Sequence, residues 1–147
     1  DGYTPLFAAA QNGKVGMADA LIKAGADVDK ASKDGYTPLF AAAQKGKVHV
    51  ADALIKAGVD VDKADKYGYT PLYVAAQEGM VDVAVALIKA GADVDKASKY
   101  GYTPLYTAAE RGMVDVVMAL IKAGAHVDKA AAHEGKVDVV VALIKAG

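Results

Sequence analysis

Pairs of aspartates separated by one residue are the first feature of this sequence that could carry chemistry. Asp27 pairs with Asp29, and Asp60 pairs with Asp62. Two neighbouring carboxylates can serve general acid–base catalysis. Each pair, however, lies in a turn-rich stretch, and Asp side chains commonly hydrogen-bond the backbone in such turns. We therefore expect these aspartates to form turns rather than an active site.

Histidine and serine lack the neighbours that metal binding or nucleophilic catalysis needs. His49, His126 and His133 are scattered, and no helix carries an H-E-x-x-H pair. Ser32 and Ser98 are predicted turn residues, and neither is placed beside a His and an acid. We predict that the chain has no metal site and no catalytic residue.

Phosphate binding of the G-x-x-x-x-G-K-[ST] type is also not expected. Gly13-Lys14 and Gly46-Lys47 are each followed by Val, where that loop needs Ser or Thr. With no convergent acid, base, nucleophile or metal set, the sequence predicts no enzymatic activity and no cofactor.

The polar residues that do recur follow an internal repeat of 33 residues. The string D-G-Y-T-P-L-F begins at Asp1 and Asp34, and it returns as Y-G-Y-T-P-L-Y at Tyr67 and Tyr100. We number the resulting units 1 (1-33), 2 (34-66), 3 (67-99), 4 (100-132) and 5 (133-147, incomplete). Such a period predicts one stacked, solenoid-like domain over residues 1-147.

Each of the four complete units contains the signals for two short helices. Thr4 can cap a helix that Pro5 begins, and Gly13 can end it. A second helix is predicted from about Lys14 to Ala24. We expect its buried stripe to be Met17, Ala18, Leu21 and Ile22. A turn-rich stretch follows, which ends at the next D-G-Y or Y-G-Y.

The motifs T-P-L-[FY]-x-A-A and A-L-I-K-A-G-A-D-V-D-K-A resemble those of the ankyrin repeat across essentially the whole chain. The resemblance implies an all-α fold, a solenoid of stacked helix-turn-helix units with β-turn or hairpin connections. It also implies a protein-protein interaction module. The ankyrin family usually has His after T-P-L, and this chain has Phe7, Phe40, Tyr73 and Tyr106 there. We expect apolar packing to replace part of the hydrogen bonding of that His.

Composition and charge narrow the classes of partner. Apolar residues make up 54% of the chain and its formal net charge is −1, so nothing favours nucleic acid as a partner. No apolar run approaches the roughly 20 residues of a membrane span, and no signal peptide is recognised. We expect a soluble monomer that binds another protein, intracellular rather than secreted.

Positions that vary between units are free to serve a partner. They cluster at the turn tip before the repeated Gly and on the side of the first helix that we expect to be exposed. The resemblance implies that both sets line one concave groove, the usual binding face of the family. The candidate partner-binding residues at these varying positions are Lys45, Tyr67, Val74, Glu78, Tyr100, Thr107 and Arg111. Tyr36, Tyr69 and Tyr102 follow the Gly of their turns and are added to the candidates because Tyr is a common interface anchor.

The end of the sequence departs from the repeat. Unit 5 lacks ten residues between Ala130 and Ala131, where the other units carry the turn and the helix start. The chain does not begin with Met, so we expect a trimmed or excised piece. Near-identical repeats without Cys resemble designed ankyrin-repeat proteins, and a natural array of duplicated repeats is the other possibility. A structural adaptor or spacer within a larger protein is the alternative function.

Overall fold

A computed structural model describes residues 1–128 of the chain. This part folds into helices and contains no strand; its helices, in chain order, are α1 (Pro5–Gln11), α2 (Val15–Lys23), α3 (Pro38–Lys45), α4 (Val48–Lys56), α5 (Pro71–Glu78), α6 (Val81–Lys89), α7 (Pro104–Glu110) and α8 (Val114–Lys122). The all-α fold of paired helices predicted from the repeat is confirmed for units 1 to 4. Unit 5 and its ten-residue deficit lie outside the described residues, and the division of the chain into one domain with five units stays a prediction.

The first helix of each of units 1 to 4 begins with a capping threonine. In unit 1, the Thr4 hydroxyl accepts a hydrogen bond from the Phe7 backbone N–H at 3.1 Å, and Pro5 occupies the first helical position. The same bond recurs in units 2, 3 and 4 at 3.1 to 3.2 Å. Each cap satisfies one of the free N–H groups at a helix start, so the Thr-Pro signal is confirmed.

The helices form two rows. The first helices α1, α3, α5 and α7 pack side by side, as do the second helices α2, α4, α6 and α8. Leu6, Leu39, Leu72 and Leu105 lie between the rows, each at most 1% exposed. Small Ala side chains, among them the fully buried Ala10 and Ala43, let neighbouring helices approach closely. None of the helices in the described part could cross a bilayer.

The connections are β-turns, and successive turns are hydrogen-bonded to each other. The Gly35 N–H donates to the Ser32 carbonyl at 2.9 Å within one turn, and the Lys33 N–H of that turn donates to the carbonyl of Asp1 in the preceding turn at 3.0 Å. Lys66 and Lys99 make the same bond to Asp34 and Tyr67 of the turns before theirs. Gly35 has a φ of 86°, and a Cβ there would lie 2.9 Å from the Asp65 Cα, so a side chain is excluded at this turn.

The paired aspartates do form turns, as the sequence predicts, and they also connect units. The Asp27 carboxylate accepts from the Asp29 N–H at 3.0 Å within unit 1. The Asp29 carboxylate then accepts from the Asp60 N–H of unit 2, also at 3.0 Å. Asp62 and Asp95 make the corresponding bonds to units 3 and 4. The resulting ladder holds the units in register.

The predicted burial of Met17 in α2 is wrong. Met17 is 59% exposed, whereas Val50, Val83 and Val116 at the same position of units 2 to 4 are each 1% exposed. In those units the preceding unit covers this position, and within residues 1–128 nothing precedes unit 1. Only Ala18 of the predicted α2 stripe is buried; Leu21 and Ile22 are partly buried and pack against the core.

Candidate partner-binding surface

A ridge of two aromatic rings and one polar side chain runs along each first helix. In unit 1 the ridge consists of Tyr3, Phe7 and Gln11, which are spaced four residues apart and so share one side of α1. The two ring centroids lie 4.6 Å apart. The ring pairs of the next three units lie 4.6 to 4.9 Å apart. We call the four ridges together the ridge face; its members are Tyr3, Phe7, Gln11, Tyr36, Phe40, Gln44, Tyr69, Tyr73, Gln77, Tyr102, Tyr106 and Glu110. The second ring is buried in units 2 to 4, where the first ring and the polar side chain form the accessible part of the ridge.

Side-chain hydrogen bonds of the turn hold the backbone at the first ring of the ridges in units 2 and 3. The Ser32 hydroxyl accepts from the Tyr36 N–H at 3.2 Å. In unit 3, the carboxylate of Asp65 accepts from the N–H groups of both Tyr67 and Tyr69 at 2.9 Å. Ser98 accepts from the Tyr100 N–H at 3.2 Å, so both serines act as turn residues, as expected.

An open groove separates the first two ridges. It has a volume of about 400 Å³ and is lined by Tyr3, Phe7, Ala8, Gln11, Tyr36, Phe40 and Gln44. The lining side chains are uncharged: rings form its walls and amides its polar end. Such a groove can accept an apolar or aromatic group of a partner while the amides hydrogen-bond to its backbone.

Three tyrosines form an exposed cluster at the turn tips of units 3 and 4, which we call the tyrosine cluster. The Tyr67 centroid lies 5.8 Å from that of Tyr69 and 6.5 Å from that of Tyr100. Tyr69 and Tyr100 are 6.4 Å apart. Tyr67 is 36% exposed and Tyr100 58% exposed. Tyr102, another of the predicted partner-binding tyrosines, is partly buried and stacks on Tyr106.

An ion pair that the sequence analysis did not identify borders the tyrosine cluster. Lys66 Nζ donates to Asp34 Oδ1 at 2.7 Å and lies 5.1 Å from the centroid of the Tyr67 ring. The hydrogen bonds to Asp34 and then Tyr67 raise the pKa of Lys66 above its ordinary value. The two charges lie 32 residues apart, one less than the repeat period, and this spacing was the available signal for a contact between adjacent turns.

Burial affects the pKa of three phenols in the ridges of units 2 and 3. It raises the pKa of Tyr36, Tyr69 and Tyr73 above the usual value for tyrosine, and nearby acidic groups and tyrosines raise it further. The hydroxyl groups therefore remain hydrogen-bond donors well above neutral pH.

Two of the predicted partner-binding residues are buried, so their expected exposure is wrong. Val74 and Thr107 are each 3% exposed, although Ala8 at the same position of unit 1 is exposed. First helices pack side by side, and this position faces the preceding unit. Thr107 hydrogen-bonds the hydroxyl of Tyr73 in that unit, which lowers the pKa of Tyr73 against the larger effect of burial. Variation at this position therefore reflects contacts between units.

The charged candidates are on the surface. Lys45, Glu78 and Arg111 are exposed at the carboxyl ends of the first helices of units 2, 3 and 4. They lie at the opposite end of those helices from the turn tips, so they border the ridge face. Tyr36 is partly buried in the second ridge. No group of His, Asp and Glu in the part of the chain that the structure covers could hold a metal ion.

The chain is similar in sequence to a known protein family. A family model for ankyrin repeats (3 copies) matches residues 1–65 and again residues 62–131. These matches include every helix described above. No curated protein sequence matches the chain significantly.

Proposed function

Because the chain belongs to the ankyrin-repeat family, whose repeats are generally protein-interaction modules, we propose that it binds a partner protein through its ridge face. The family resemblance implies that the turn tips and first helices, on which the ridge face lies, line the concave side of the solenoid. The tyrosine cluster is the proposed centre of the contact.

The exposure of Tyr67 and Tyr100 is the observation that carries the proposal. Asp1 and Asp34 occupy the same turn position in units 1 and 2, so the turn itself does not need an aromatic residue. Because the turns leave both rings partly exposed to solvent, we expect them to contribute little to the stability of the fold. Interface energy concentrates in Tyr, Trp and Arg, and Tyr offers a large rigid surface at low entropic cost.

The residues around the tyrosine cluster match the usual arrangement of a protein–protein interface. The rings of the tyrosine cluster form an apolar centre, and Lys45, Glu78 and Arg111 provide a polar rim. Opposite charges on this rim leave no strong field of either sign. We therefore expect the partner to present apolar or aromatic groups flanked by hydrogen-bond acceptors, and its affinity to depend weakly on salt.

A matched set of three chains tests the proposal. The wild type, a Tyr67→Asp/Tyr100→Asp variant and a Lys89→Ala variant are immobilised and exposed to the same lysate. The Asp residues are those of units 1 and 2, and Lys89 lies on the second-helix row. We expect a protein to be retained by the wild type and Lys89→Ala and lost from the double variant. Equal retention by all three, or loss on Lys89→Ala alone, would contradict binding through the ridge face.

A spacer or adaptor segment, natural or designed, is the second candidate. The continuous aspartate ladder, with the Asp29, Asp62 and Asp95 carboxylates each bound to the following unit, favours a stiff rod. A spacer would retain no protein in any of the three chains above.

A further inference from the structure

In each of units 2 to 4, one side chain fills the space above a glycine in the unit before it. These glycines, Gly13, Gly46 and Gly79, lie just beyond the first helices of units 1, 2 and 3 with φ of 69°, 69° and 72°. The residues above them, Lys47, Met80 and Met113, precede the second helices of units 2, 3 and 4. Each contact crosses the junction between two units.

The atom in the contact differs between the junctions. A Cβ on Gly46 would lie 2.6 Å from Met80 Sδ, and one on Gly79 would lie 2.7 Å from Met113 Sδ. At the first junction, a Cβ on Gly13 would lie 2.9 Å from Lys47 Cδ. A thioether sulfur therefore occupies the second and third junctions, and a hydrocarbon occupies the first.

Both sulfur-containing side chains are within reach of a small solute. Met80 and Met113 are partly buried and pack against the core, so neither is sealed inside it. A cavity of about 190 Å³ opens beside Met80, lined by Gly46, Gly79, Met80, Val81, Asp82 and Val83. This volume exceeds the roughly 30 Å³ that a water molecule takes up in the liquid, and hydrogen peroxide is only slightly larger.

We propose that Met80 and Met113 are sites of oxidative modification by hydroperoxides, and that their oxidation loosens the junctions between units 2, 3 and 4. A sulfur lone pair attacks one oxygen of hydrogen peroxide, an S–O bond forms and the O–O bond breaks. The leaving hydroxide takes up the proton of the resulting S–OH group and becomes water. Sulfur loses two electrons and peroxide gains them, and the product is methionine sulfoxide.

The oxygen of the sulfoxide has no place in the observed contact. The sulfur occupies the position next to the glycine backbone, so an oxygen on it adds bulk and polarity there. If the side chain instead turns toward the cavity to hydrate the oxygen, it leaves the glycine uncovered. Both results remove the contact between units, whereas Lys47 has no sulfur to oxidise.

Peroxide treatment of the purified chain, followed by peptide mass spectrometry and thermal unfolding, tests the proposal. We expect sulfoxide at Met80 and Met113 to lower the Tm of the wild type by about 4 °C or more. A Met80→Lys/Met113→Lys variant carries the residue that units 1 and 2 have at this position. It should fold and keep its Tm after the same treatment. Methionine sulfoxide reductase should restore the Tm of the wild type.

Met17 and Met118 provide the internal control, because they are 59% and 42% exposed. They should oxidise first, and a Met17→Leu/Met118→Leu variant should lose as much Tm as the wild type. The proposal is wrong if Met80 and Met113 stay unmodified when Met17 is fully converted. It is equally wrong if their conversion leaves the Tm unchanged, or if the double Lys variant loses as much Tm as the wild type.

Discussion

The carboxylate of Asp62 accepts a hydrogen bond from the backbone N–H of Asp93 at 3.0 Å, across the junction between units 2 and 3. Two residues 31 positions apart are thereby joined, and the same bond recurs at the other described junctions. A residue in the turn of one unit is therefore also hydrogen-bonded to the next unit.

Asp62→Ala should lower the free energy of unfolding by about 1 kcal/mol, the usual net value of one hydrogen bond. Asp62→Asn keeps an oxygen acceptor in the same place and should lose less than half of that. Urea unfolding followed by circular dichroism measures both. Equal losses in the two variants would show that the charge of Asp62, and not its acceptor, stabilises the junction.

Thr107→Val should destabilise the chain by about 1–2 kcal/mol, because it leaves the buried Tyr73 hydroxyl without this partner. Tyr73→Phe introduces the residue of units 1 and 2, and Val is already present at Val74. The combined variant should be more stable than the sum of the two single losses predicts. A double-mutant cycle measures the coupling energy between the two positions. Strictly additive losses would show that no stabilising hydrogen bond joins Thr107 and Tyr73.

Stability should fall at alkaline pH partly through Tyr73. Burial raises the pKa of this phenol in the folded chain above its unfolded value of about 10. Folding therefore favours the neutral form, and this contribution is fully present below pH about 10 and is lost as the pH rises through the folded pKa. Urea midpoints between pH 8 and 11.5 should fall less steeply for Tyr73→Phe than for the wild type. Parallel curves would contradict the raised pKa.

Tyr67→Ala or Tyr100→Ala should weaken binding to the partner by roughly 1–3 kcal/mol, the range of an interface hot spot. Lys89→Ala on the second-helix row should change the affinity by less than about 0.5 kcal/mol. Isothermal titration with the identified partner measures these differences, and circular dichroism checks that each variant is folded. If substitutions on the second helices abolish binding and both Tyr changes are silent, the partner uses the convex side.

Sequence alone determined the elements of this protein. Thr4 and Pro5 start a helix and Gly13 allows a left-handed end, because capping and backbone φ depend on neighbours within a few residues. The repeat of those signals every 33 residues was enough to predict paired helices in a stack. The sequence also predicted that Tyr67 and Tyr100 lie in turns, because they occupy the same repeat position as Asp34, which precedes a turn glycine.

Tertiary structure decided which surfaces remain free. Thr107 and Val74 vary between units like binding residues, yet each faces the preceding unit, and Met17 is exposed where Val50 is buried. The contacts of Asp34 with Lys66 and of Met80 with Gly46 likewise join residues about one repeat apart. Local patterns report only which side of a helix is apolar. Whether another unit covers that side depends on contacts about 33 residues away, which form only when the units stack.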